Sequence, residues 1–352
     1  MAMKATEKTL IFNLNNDNDT NVFASRYIDC AQVHNLVNRH FIRQGNQFVI
    51  DSVEIGVKPG GRFVASVYRL PEVWPVFNAW EKTFRHWQDQ RESEALEAGL
   101  QSTRARYSDF KIHMDETHVA AGSASNLIPI GYSITDPGET GEAYEWNMSQ
   151  VVLPQDGGSA SPVELYLHMV GDDDGATLPT STSASMVKAY AQSRSRPFAT
   201  DPNIVDIPAT DNLFGAMEDV ADIVDDVITN YQEHNHVPPY LIGNDGTSHT
   251  TDFYPGGEHQ GSYWTSSGPD NWAHGLTLVD VLSINANLNY NTDATGGFVA
   301  PCGLIRIDYE AYGVDVTGPL SPGANCLGIY LKLKFVPGPS KGLLLQPMQE
   351  AN

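Results

Sequence analysis

The sequence runs to 352 residues with a formal charge of −22 at neutral pH, 41% hydrophobic and 18% charged residues. Between Arg196 and Arg306 there is no lysine or arginine against fifteen Asp and Glu. That distribution repels phosphate and excludes a nucleic-acid reader or a binder of acidic membranes, both of which draw their affinity from basic side chains.

No apolar run nears the ~20 residues needed to cross a bilayer, and the opening MAMKATEKTLIF has no apolar signal core. Cys30, Cys302 and Cys326 form no C-x-x-C pair, so reduced, buried thiols are expected. A Cys302–Cys326 disulfide is the alternative, because both sit in consecutive predicted strands. Gly and Pro make up about one residue in seven, which suits many turns between short strands.

Thr9 to Leu14 is a β-prone run closed by the turn-forming cluster Asn15-Asn16-Asp17-Asn18-Asp19. Phe48 to Val57 and Arg62 to Leu70 alternate apolar with polar or small residues around Lys58-Pro59-Gly60-Gly61, and are expected to form a hairpin. The period then changes. Phe77, Trp80, Phe84 and Trp87 step by three and four, predicting an amphipathic helix whose aromatic stripe packs into the core. Strand patterns resume at Asn126 to Tyr132, Ala143 to Leu153 and Val163 to Val170.

From Gly171 to Gly275 the alternation dissolves into Ser, Thr, Pro, Gly and Asp, with one helix predicted at 211–232 on the seam Leu213, Met217, Val220, Val224, Val227 and Tyr231. So long an excursion is more than a linker. Long strand patterns close the chain at Leu276 to Tyr290, Phe298 to Tyr312 and Asn325 to Val336. Ile329, Leu331, Leu333 and Phe335 alternate there with polar Tyr330, Lys332 and Lys334, as on a strand with one wet face. The expectation is an all-β protein over 1–352: one antiparallel jelly-roll sandwich with a few helices, and 171–275 as a loop-and-helix insertion that projects.

Catalytic signatures are missing from the sequence. It contains no G-x-S-x-G, no G-x-x-x-x-G-K-[ST] and no G-x-G-x-x-G after a strand, so the chain is not expected to be an enzyme. Asp172-Asp173-Asp174-Gly175 and the pair Asp17 and Asp19 read as exposed acidic turns, since consecutive acids seldom converge on one cation. A structural Ca²⁺ at subunit contacts is the one cofactor such a surface suggests. Glu233, His234, His236, His249 and His259 are the best transition-metal candidates by residue type, although their loop setting favours ordinary histidines. Tyr254, Tyr263, Trp264 and Trp272, with Asp252 and Asp270, make an aromatic loop over 252–272 that could stack on sugars.

Within Val33 to Gln90, the run HNLVNRHFIRQGNQFVIDSVEIGV, the segment SVYRLPEVWPVFNAW and the run EKTFRHWQDQ resemble capsid proteins of small tailless viruses from marine and other environmental sequences. The resemblance spans about sixty residues and implies a jelly-roll coat subunit that assembles into an icosahedral shell, made in a host cytoplasm and carried in the virion. It implies no catalytic residue. The first fifty residues are nearly balanced, with Lys4, Lys8, Arg26, Arg39 and Arg43 against Glu7, Asp17, Asp19 and Asp29. Any contact with a packaged genome is therefore expected from the densest basic group, Arg85, Arg91, Arg104, Arg106 and Lys111. The alternative is a carbohydrate-binding or carbohydrate-active β-sandwich working through the 252–272 loop.

Overall fold

The computed structural model describes residues 6–14, 23–57, 61–99, 109–130, 146–153, 163–171, 182–195, 275–286, 291–313, 321–322 and 329–350. The chain divides into two compact units. Unit 1 takes Met1–Pro71, Ala121–Asn147 and Leu276–Glu350, and unit 2 takes Glu72–Ala120, Met148–Gly275 and Ala351–Asn352. Among the described residues no helix is long and apolar enough to cross a membrane.

Unit 1 is built on two antiparallel sheets. In the first, β1 (Thr9–Asn13) pairs with β13 (Ile329–Phe335), and β13 pairs with β3 (Asn46–Val57). Three short strands, β9 (Asn291–Ala294), β10 (Phe298–Ala300) and β16 (Leu345–Pro347), also pair with β3. In the second sheet the order is β2 (Phe23–Asp29), β11 (Leu304–Gly313), β4 (Gly61–Arg69) and β8 (Thr277–Ala286). The two-residue β12 (Ser321–Pro322) touches the end of β11. A small hairpin of β14 (Pro337–Gly338) and β15 (Gly342–Leu343) precedes β16.

Period-2 patterning decides which face each strand buries. On β13, Ile329, Leu331, Leu333 and Phe335 are buried and Tyr330, Lys332 and Lys334 are wetter. On β3 the buried set is Val53, Ile55 and Val57. In the second sheet Phe63, Ala65 and Val67 of β4 share a buried face with Ile305, Ile307 and Tyr309 of β11 and with Leu282 and Ile284 of β8, Ala65 lying opposite Tyr309 and Val67 opposite Ile307. The Phe63 and Tyr309 rings stack at 5.3 Å.

Three expectations need correction here. β3 and β4 do not form a hairpin: they lie in different sheets, each paired to strands hundreds of positions away. Alternation fixes the buried face of a strand, not its neighbour. The long run from Phe298 to Tyr312 is broken into β10 and β11 by a 3-10 turn at Pro301–Gly303. Pro301 removes a ladder donor, and Gly303 holds φ +67, where an added Cβ would sit 2.7 Å from the Phe48 ring. Cys302 therefore lies in that turn and is a buried free thiol, as is Cys30; Cys326 lies outside the described residues. Of the run expected as a strand at Asn126–Tyr132, residues 126–130 form none, Asn126 making an isolated bridge to Tyr27, and the rest lies outside the described residues.

Sequence patterning missed α1 (Cys30–Asn38). It starts at once from β2 because Asp29 caps it, the carboxylate accepting the backbone N–H groups of Ala31 and Gln32.

Unit 2 holds α2 (Trp74–Glu97), α3 (Glu116–Ala121), α4 (Met186–Ser195) and a three-stranded sheet of β5 (Gln150–Leu153), β6 (Val163–His168) and β7 (Ser183–Ser185), with β6 and β7 parallel. β7 and α4 fall inside the stretch expected to be insertion. The helix predicted at 211–232 lies outside the described residues. Among the described residues no strand of the two main sheets falls between β4 and β8, although Ala121–Asn147 belongs to unit 1.

The aromatic stripe of α2 behaves as expected. Phe77, Trp80 and Trp87 are buried, while half-buried Phe84 stacks on Trp80 at 5.0 Å and lies 5.6 Å from Phe110. α2 packs against α4 and β5. Trp80→Ala is expected to destabilise unit 2 by about 3–5 kcal/mol. Urea unfolding followed by amide exchange in α2 and β5 measures it, and a loss below about 1 kcal/mol would mean the stripe is not core.

Candidate functional site

Alternation along β11 puts Arg306 and Asp308 on the face opposite Ile305 and Ile307, yet each is only 3% exposed. Arg306 Nε donates to Asp308 Oδ1 at 2.8 Å, and its guanidinium lies 5.8 Å from the Tyr27 ring centre. Asp308 Oδ2 is buried and accepts no hydrogen bond. A buried pair of this kind contributes little net stability, because desolvating both charges offsets their attraction, but breaking it strands a charge.

Asp29 lies at the end of β2 on the same face and is fully buried. Its Oδ1 accepts the two cap N–H groups; its Oδ2 accepts Gln44 Nε2 at 2.8 Å and Trp146 Nε1 at 2.9 Å. Burial raises its pKa from 3.8 to about 6 despite those four donors. The neighbouring thiols of Cys30 and Cys302 are pushed well up, first by burial and then by the Asp29 charge, so they are protonated and poorly nucleophilic.

A carboxylate saturated by four donors is a tie between β2, α1 and the segments bearing Gln44 and Trp146. Asp29→Ala removes the cap and orphans two buried donors, for an expected loss of about 2–4 kcal/mol. Asp29→Asn keeps the cap and is expected to lose less, because Gln44 can turn its amide over. Equal losses in a denaturant series would contradict this role.

In unit 2 three buried histidines meet. His113 and His168 are bridged through their backbones, and the His113 and His118 rings lie 4.8 Å apart edge to face. His118 Nδ1 accepts the Met114 N–H, and Asp115 Oδ1 accepts the His118 N–H. Burial, then His118 and His168, lower the His113 pKa from 6.5 to about 3. Among the described residues no three His, Cys, Asp or Glu side chains are placed to share a metal ion. Sequence reading overlooked this trio because its members come from a loop, a helix and a strand up to 55 positions apart, in no motif.

The residues singled out from sequence are scattered. Asp17, Asp19, Asp172 to Asp174, Glu233, His234, His236, His249, His259, the 252–272 loop, Arg104 and Arg106 lie outside the described residues. Arg85 is exposed on α2 and pairs with Glu81. Arg91 is exposed and places its guanidinium 4.6 Å from the Trp87 ring centre.

Lys111 is 5% exposed with its Nζ on Asp109, and Ser149 bridges its backbone in both directions.

Charge is divided unequally between the units. Unit 1 carries twelve Lys and Arg against sixteen Asp and Glu, for −4, and unit 2 carries nine against 27, for −18. On the wet face of the first sheet Glu54 accepts from Lys332 at 3.3 Å and pairs with Lys334 at 3.1 Å, holding its carboxyl below the usual range, Lys334 first. On the second sheet Leu278 and Val281 of β8 stand 48% and 49% exposed. Compared with protein families, curated proteins and solved structures, the chain matches none.

Proposed function

We propose that this chain is the coat subunit of a small icosahedral virus and that unit 1 is its jelly roll. The observation that supports this is the strand order. Count as first to eighth β1, β2, β3, β4, β8, β9 with β10, β11 and β13. The two sheets then run 1-8-3-6 and 2-7-4-5. First pairs with eighth, second with seventh, third with sixth and fourth with fifth. Such nesting arises when one long antiparallel ribbon is wrapped around a core, which is how a jelly roll is generated.

Fold alone does not carry function. The second support is the resemblance of Val33 to Gln90 to capsid proteins. The third is the charge division. In this reading near-neutral unit 1 makes the shell and unit 2, at −18, faces water, where like charge keeps particles apart.

Size exclusion followed by negative-stain imaging of the purified chain tests the proposal. Closed particles of uniform size are expected. A chain that stays monomeric or dimeric at every salt concentration, with or without Ca²⁺, overturns it.

A further inference from the structure

Among the described residues, one face of the second sheet is partly exposed at its β4–β8 end. Register places Tyr68 beside Leu278, Ser66 beside Val281 and Val64 beside Ser283. A bulge between Val67 and Tyr68 adds one residue to β8 and turns Leu278 onto the face that carries Val281. Val64, Ser66, Tyr68, Leu278 and Val281 thus form one uncharged patch, in which Leu278 and Val281 are half exposed, bordered on β11 by Glu310 and by the buried Arg306 and Asp308.

β8 is also the last strand of its sheet, but its edge is occupied. Asp280 Oδ1 accepts the Val281 N–H at 2.8 Å, and Asp293 Oδ2 accepts the Ser283 N–H at 3.2 Å. Carboxylates seated on the edge donors close the route by which a foreign strand would add. What remains open is the face.

We propose that this face docks against the same face of a second copy of the chain, about a two-fold axis. The inference rests on the coat-subunit reading and adds to it the surface through which copies meet. Charge selects the occupant. At −22 per chain, copies repel, and −18 of that charge belongs to unit 2, so contact between copies falls to unit 1. An uncharged apolar surface on the near-neutral unit is where two identical chains approach at least cost. A surface that contacts itself about a two-fold needs no other partner.

Size sets the strength. Five side chains are far fewer than the roughly 20–30 residues per side of a standard interface. The contact is weak in a lone pair of subunits and holds where many copies close into one particle.

The test uses Val281→Asp and Val281→Lys, each alone and mixed one to one, with the exposed unit 2 leucine variant Leu96→Asp as control. Particle formation is read by sedimentation across protein concentration, and thermal melts confirm that each variant folds. Each Val281 variant alone is expected to need at least about tenfold more protein to form particles. The mixture is expected to recover to within a few-fold of wild type, because Asp then faces Lys across the axis. Leu96→Asp is expected to assemble as wild type does.

Particles that form equally well from every variant overturn this contact and leave the coat reading standing. So does a mixture no better than its parts, which would point to a different partner on the face. A wild-type chain that never assembles overturns both.

Discussion

Acidification from pH 7 to about 4 is expected to loosen unit 2 while unit 1 holds. The His113 pKa is lowered from 6.5 to about 3. A histidine that is neutral when folded takes up its proton on unfolding, so its contribution to stability is present above about 6.5. That contribution is lost as pH falls toward 3, by about 1.4 kcal/mol per pH unit. His118, His168, Asp115 and the Tyr166 ring, 5.7 Å away, surround it.

Unit 1 contains opposing groups. Asp29, raised to about 6, favours the folded state in its protonated form. Its contribution is complete below about pH 4 and is lost as pH rises through 6. His34, lowered to about 4 by burial, His40 and Lys341, works the other way over the same window. The two offset each other, and unit 2 has no such counterweight among its described groups with shifted pKa values.

Amide exchange resolved by segment checks this. Protection at 111–118 and 163–170 should fall first, while 48–57 and 304–310 persist. His113→Phe should move the unit 2 transition about one pH unit lower. Simultaneous loss in both units, or no effect of His113→Phe, would contradict the argument.

Raising ionic strength from about 0.05 to 0.5 M is expected to shift the chain from small species to particles, by tenfold or more in the protein concentration required. Screening shortens the reach of charge from about 10 Å at 0.1 M to about 3 Å at 1 M, and most of the charge to be screened is on unit 2. α2 shows the strain of low salt locally. Glu94 and Glu97 sit in its last turn and no basic residue does, although a helix C-terminus favours cations by about 0.3–1 kcal/mol per charge. Replacing both with Lys should stabilise unit 2 in low salt and much less in high salt, and should lower the salt needed for assembly. Particles that form best in low salt and dissolve as salt rises would reverse the sign and argue for subunits held by ion pairs or nucleic acid.

Much of the fold was legible wherever one face of an element is wet. Alternation along Ile329 to Phe335 and the three-and-four spacing of Phe77, Trp80, Phe84 and Trp87 each named the buried side, because burial is a local demand. Partner choice was not local. β3 and β4 look like a hairpin in sequence because nothing in either strand encodes that β13 and β11 are its neighbours. β11 was readable as a strand, but nothing in its alternation shows that Arg306 and Asp308, on the face away from Ile305 and Ile307, are buried. α1 had a legible signal, an Asp followed by an apolar-rich run, and was missed because β2 runs into it without a turn. The histidine trio and the Asp29 network had none, since each is assembled from segments far apart in the chain.

The long excursion between β4 and β8 bears on how unit 1 comes to fold. Arg69 and Thr277 are cross-strand partners, although about 200 residues separate them. In a nested set of pairs the innermost, β4 with β8, is the one that a short turn would ordinarily join first. Here that starting hairpin has been opened. The equilibrium penalty is small, about 3 kcal/mol more than for a ten-residue loop, because closure entropy grows only with the logarithm of length. The kinetic penalty is larger: every pairing in the nested set of eight now spans distant sequence, and folding slows as mean sequence separation grows. A freshly made chain would expose β2 and β4 unpaired until β8 and β11, which begin at Thr277 and Leu304, are synthesised.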